Sequence, residues 1–108
     1  MALRFTAGST STAGQYSWWL YGANGELVAW AGETFPTSSN AERAAREFKS
    51  GAATARYDVY ADLSGQYRWR AWRSSDKVAA SGEAFASRSN AERAYQNVQA
   101  NAGSASGV

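Results

Sequence analysis

Ser39-Asn40-Ala41-Glu42-Arg43-Ala44 recurs letter for letter as Ser89-Asn90-Ala91-Glu92-Arg93-Ala94, 50 residues further on. Working outward, Gly32-Glu33-Thr34-Phe35 matches Gly82-Glu83-Ala84-Phe85 at the same spacing. Gly14-Gln15-Tyr16-Ser17-Trp18 matches Gly65-Gln66-Tyr67-Arg68-Trp69 at 51, and Arg4-Phe5 matches Arg56-Tyr57 at 52. A spacing that drifts by one residue across turns is what copies with unequal loops produce. The chain reads as one unit used twice.

Within each copy the apolar period changes once. Tyr57 and Val59 alternate with Arg56, Asp58 and Tyr60, and after the turn signal at Asp62-Leu63-Ser64-Gly65 the alternation resumes. Tyr67, Trp69 and Ala71 then take one face and Arg68, Arg70 and Trp72 the other. Ser74-Ser75-Asp76 turns the chain into a third short strand, 77–81. Asn24-Gly25 marks the corresponding turn in the first copy, as a dipeptide whose two positions both tolerate positive φ. The first strand of the first copy, rich in Ser, Thr and Gly over 6–13, is expected to be short or irregular.

The repeated hexapeptide follows each set of three strands. Ser39 with Glu42, and Ser89 with Glu92, have the spacing of a capping box, so a helix is expected to start at each. Ala41, Ala44, Ala45 and Phe48 form one apolar stripe; Ala91, Ala94, Tyr95 and Val98 form the other. Glu42–Arg46 and Arg43–Glu47 are i,i+4 pairs on the exposed side. Gly51 and Gly103 stand where the helices end.

The expected fold is therefore α+β: a tandem βββα repeat, antiparallel sheet with helices on one face, and internal pseudo-symmetry. The first unit spans 1–52 and the second 53–102; residues 103–108, without pattern, are expected to be a disordered tail. One copy alone buries too little to be stable, so the two are expected to share a core or an interface. Whether six strands make one sheet or two is left open by periodicity.

Composition narrows the chemistry. The 108 residues include no Cys and no His, which removes thiolate and imidazole from catalysis and from metal binding. Isoleucine is absent, and bulk comes from five Trp, six Tyr and four Phe. Each such ring buries about 150–250 Å². The net charge of +2 is too small to argue for nucleic acid by itself. The opening residues show no apolar leader and no run long enough to span a membrane, so a cytoplasmic protein is expected. No cofactor or metal is implied, and no enzyme activity is expected.

These motifs resemble the YegP-like family, small prokaryotic proteins built from tandem copies of a domain of unknown function. The likeness is carried by Gly65-Gln66-Tyr67-Arg68-Trp69-Arg70, Gly82-Glu83-Ala84-Phe85, the two hexapeptides and the Asn24-Gly25 turn, and covers roughly 4–102. It implies the same βββα duplication and the possibility of a homodimer. It carries no catalytic residues.

By alternation, the sheet face turned away from the helices holds Trp19 and Tyr21 from the first copy, Arg68, Arg70 and Trp72 from the second, and Tyr60 beside them. Large aromatics on such a face ask for a partner. The leading expectation is a non-enzymatic interaction module that self-associates there, as a homodimer. The same residues also fit single-stranded nucleic acid, stacking bases and contacting phosphate, although Asp58 shares the face. A third reading is a pocket between the repeats for a small anionic or aromatic ligand. The plain alternative is that these rings pack one repeat's sheet against the other's. Glu33 and Glu83, at matching positions, invite a paired-carboxylate reading but suit solvated turns better. Trp30, where the second copy has Ala80, is expected to fill core.

Overall fold

The structure is a computed structural model and describes residues 2–108; Met1, first residue of the expected first unit, lies outside them. Strands β1 (Arg4–Ser9), β2 (Tyr16–Tyr21) and β3 (Leu27–Trp30) precede helix α1 (Ser38–Gly51). Strands β4 (Arg56–Ala61), β5 (Tyr67–Arg73) and β6 (Asp76–Ser81) precede helix α2 (Arg88–Asn101). All six strands form one sheet in the order β1-β2-β3-β6-β5-β4, with every neighbouring pair antiparallel. Two residue pairs, Ala29 with Ser81 and Trp30 with Ala80, make the seam between β3 and β6. Despite its Ser, Thr and Gly content, β1 pairs with β2 over its full length.

Both helices lie on one face, α1 over β1 and β2, α2 over β4 and β5. Phe5, Trp18, Leu20 and Ala29 from the first three strands, and Trp69, Ala71 and Ala79 from the last three, point inward and are buried. Ala41, Ala45, Ala91 and Val98 meet them from the helices, and small residues there let helix and sheet approach closely. In the first half Trp18 stacks on Phe48 with centroids 5.2 Å apart, and Phe5 meets Trp18 edge-on at 5.5 Å. In the second, Tyr57 stacks on Tyr95 at 5.1 Å and tilts against Trp69 at 5.8 Å. The helix gives one large ring to each cluster, from Phe48 in α1 and from one turn earlier, Tyr95, in α2. The Tyr57 hydroxyl donates to the Ala52 carbonyl at 2.7 Å, and burial pushes its phenol well above the ordinary value.

Both helices begin earlier than the capping-box reading expects. Thr37, extended at φ −140°, accepts from the Asn40 amide at 3.1 Å; Ser87, at φ −138°, accepts from the Asn90 amide at 3.1 Å. Ser39 and Ser89 are already helical, and no acidic residue stands in either first turn. The cause lies just upstream. Phe35 and Phe85 are each held by two backbone hydrogen bonds, to Tyr16 and Tyr67 respectively, so the chain turns into the helix at the first hydroxyl beyond them. Arg43 and Arg93 donate to Asn40 and Asn90 on their own helices. The Asn24-Gly25 turn also differs: only Gly25 has positive φ, inside a five-residue loop closed by the Gly22 amide on the Glu26 carbonyl at 2.8 Å.

Residues 103–108 are not the disordered tail expected from their composition. After a 3-10 turn, Ala102–Ser104, the chain runs parallel to the start of β1. The Phe5 amide donates to Ser106 at 2.8 Å, and the Ser106 amide donates to Leu3 at 3.0 Å. Ala105 is buried against the core. Gly107 has φ +106°, and a Cβ there would run into the Phe5 carbonyl. Low complexity hid a segment whose small residues are what permit this close approach.

Candidate binding face of the sheet

The outer face is ordered by strand register. One row crosses all six strands: Thr6, Trp19, Trp30, Ala80, Arg70 and Asp58, each opposite the next. Residues opposite one another share a face. Tyr21 lies beside Arg4, Trp72 between Arg56 and Lys77, and Tyr60 beside Arg68. All six residues expected on this face are there, and all are partly buried. Because the six strands form one sheet, neither half covers the other's outer face.

The side chains engage one another without closing the surface. The Arg70 guanidinium lies 4.0 Å from the Tyr60 ring centre and 5.5 Å from that of Trp72; Arg56 lies over Trp72 and Arg4 over Tyr21. Asp58 sits 3.7 Å from Arg70 Nε and accepts from Trp72 Nε1 at 3.4 Å. Asp62 is 3.1 Å from Arg68 Nε. The Ser64 hydroxyl, then Arg68 and the Gln66 and Ser64 amides, hold the Asp62 carboxyl down at about 2. The strands thus present five cations outward, Arg4, Arg56, Arg68, Arg70 and Lys77. Both nearby carboxylates, Asp58 and Asp62, already have an arginine.

The row dips at one place. Trp30 and Arg70 flank Ala80, so the small side chain lies between an indole and a guanidinium. The resulting depression, about 180 Å³, is bordered by Trp30, Gly32, Tyr60, Arg68, Arg70, Lys77, Ala80 and Ser81. Arg70 Nε is buried there without a hydrogen-bond partner. Trp30 is not the core filler expected of it. Its register opposite Trp19 turns it outward, and it is only partly buried.

Lys77 escaped the sequence reading because strict alternation places it with Ala79 on the core side. The register shift that pairs Ala71 with Ala79 and Trp72 with Lys77 leaves Val78 as an extra residue, and Lys77 turns outward. Val28 does the same in β3, where Leu20 pairs with Ala29 and Tyr21 with Leu27. Nothing in the local sequence announces such a bulge.

Glu33 and Glu83 do not form a pair. They lie in two separate clefts, one between α1 and β6 whose rim Trp72 and Lys77 also reach from the outer face, the other beside α2 and β3. The first, about 590 Å³, holds Glu33 with Glu47, Arg73 and Lys77; the second, about 440 Å³, holds Glu83 with Glu26 and Arg93. Burial, then the neighbouring Glu26, raises the Glu83 carboxyl above its ordinary value. Among the described residues no group of three potential metal ligands comes together, and no helix is long and apolar enough to cross a membrane.

Comparison with known proteins finds one family and one fold. Residues 11–58 match the model of a domain of unknown function, DUF1508. No curated protein matches the chain. A UPF0339 protein of Shewanella oneidensis, solved by NMR, superposes with a TM-score of 0.80 at 15% identity, over 99% of this chain and 91% of that one. The E. coli protein of unknown function yegP, also solved by NMR, gives 0.80 at 21% identity, over 98% and 90%. At such identities the likeness is one of fold, an α+β arrangement of six antiparallel strands and two helices. The match to that domain of unknown function over residues 11–58, together with this fold, makes the chain similar to the YegP-like proteins.

Proposed function

We propose that the chain is a non-enzymatic binding module, two copies of one βββα unit joined at the β3–β6 seam, that takes an anionic partner on its outer sheet face. The observation that carries this reading is the outward set of five cations interleaved with Trp19, Tyr21, Trp30, Tyr60 and Trp72, with both carboxylates already engaged. Charge favours this reading over self-association. A two-fold dimer through the face sets the patch against itself, cation to cation, which opposes docking. An anionic partner meets the same surface with attraction.

Polyphosphate titrated into the labelled protein, followed by NMR, tests the reading. Amides of β2, β3, β5 and β6 and the indole N–H signals of Trp19, Trp30 and Trp72 should shift, while helix amides should not. Shifts concentrated on α1 and α2, or none at low salt, overturn it. Sedimentation provides the second check: a dimer that withdraws those indoles from solvent and strengthens with dilution of salt is incompatible with this account.

A further inference from the structure

We infer that the depression at Ala80 is a nucleobase subsite and that the anionic partner is single-stranded nucleic acid. This rests on the outer face being the binding surface, and names what it binds. Trp30 and Arg70 stand two strand spacings apart, about 10 Å, with only a methyl group between them. That gap admits one planar ring lying against the indole and beside the guanidinium. Its volume of about 180 Å³ is below the roughly 300–1,000 Å³ of pockets that enclose a whole small ligand. The site therefore suits one unit of a longer chain that continues across the face.

The polar border suits the rest of a nucleotide. Lys77 has no carboxylate within ion-pair distance among the described residues. Arg70 Nε is buried and, with Asp58 at 3.7 Å, beyond hydrogen-bond distance, makes no hydrogen bond, an arrangement that favours an incoming acceptor. Lys77 beside the gap and Arg70 at its edge supply phosphate contacts on both sides of a ring stacked on Trp30. Further rings, Trp19 on one flank and Trp72 on the other, offer stacking to neighbouring bases. Duplex bases are already stacked and cannot enter. A polyanion without bases has charge to give but nothing to place over Ala80.

The second half's own history supplies the test. Trp30 is the counterpart of Ala80, so Ala80→Trp introduces a ring that the fold already carries at the matching position, and fills the gap without changing charge. Oligo(dA) of about 12 nucleotides, within the usual span of such sites, should bind more tightly than polyphosphate of similar charge. Ala80→Trp should weaken oligo(dA) about tenfold, the scale of one lost stack, and leave polyphosphate unchanged. Lys77→Ala should reduce the salt slope of oligo(dA) binding by about 0.7. Equal binding of the two probes, or an Ala80→Trp protein that binds oligo(dA) normally, overturns the nucleobase subsite and leaves the anion-binding face standing. Equal affinity for duplex DNA also overturns it. Failure of both probes at low salt removes face and subsite together. Should Ala80→Trp not fold, Trp30→Phe provides the same discrimination: the quenching of tryptophan fluorescence by oligo(dA) should be smaller than in the parent, and quenching equal to the parent's refutes stacking on Trp30.

Discussion

Glu83 sits in the cleft beside α2 with Glu26 as a like-charged neighbour, and burial adds to the cost of ionising it. Its carboxyl is raised above the ordinary 4.5. The folded state therefore holds this proton more tightly than the unfolded chain does. The stabilisation from that group is fully present below 4.5 and is lost as pH rises through the folded value. Glu83→Gln keeps the shape and removes the titration. The variant should melt higher than the parent at neutral pH and show a flatter decline of Tm between acid and neutral conditions. Calorimetry across that range checks it, and a Glu83→Gln protein with an unchanged pH profile contradicts the assignment. Position matching alone brought Glu83 forward as a partner of Glu33. Pairing it with Glu26 instead required knowing that α2 lies near the first half's β3, which only the β3–β6 seam decides.

At the level of elements, the period of the sequence was informative wherever strands were regular. The alternation in 67–72 placed Trp69 and Ala71 inward and Arg68, Arg70 and Trp72 outward, as the register shows. Tyr60 and Asp58 follow the same rule. A strict alternation fails at Val28 and Val78, because a bulge adds one residue without any residue type that demands it. It misplaced both caps, because Thr37 and Ser87 win by proximity to the pinned Phe35 and Phe85 and not by a stronger side chain. It also took 103–108 for a tail. That segment covers the outer edge of β1, where unpaired backbone groups otherwise invite another chain. Deleting 103–108 removes the two backbone hydrogen bonds that Ser106 makes with Leu3 and Phe5, the Ala105 amide's bond to Ala102, and the buried Ala105 itself. The truncated protein should lose roughly 1–3 kcal/mol in urea titration and aggregate through the bared edge. A Phe5 amide that exchanges no faster after truncation speaks against this role.

Across the whole molecule, the two halves are interlocked rather than merely adjacent. The seam itself is short, two residue pairs, and would hold little alone. Chain crossing adds to it. The residues after α2, which belong to the second half, pair with β1 at the far edge of the first half. Lys49 Nζ of α1 reaches the Val108 carbonyl at 3.3 Å. The second half thus closes both edges of the first, β1 with its last residues and β3 with β6, and β6 without β3 has a bare edge in turn. A fragment of about half the chain also buries too small a share of its surface to offset ordering. The full chain should unfold in one cooperative step, with near- and far-ultraviolet dichroism coincident. A fragment comprising 1–52 should give the collapsed amide dispersion of an unfolded peptide and should regain dispersion when 53–108 is added in trans. Two resolved transitions, or a folded isolated fragment, would show that the core is divided at the seam and that the crossing contacts are incidental to it.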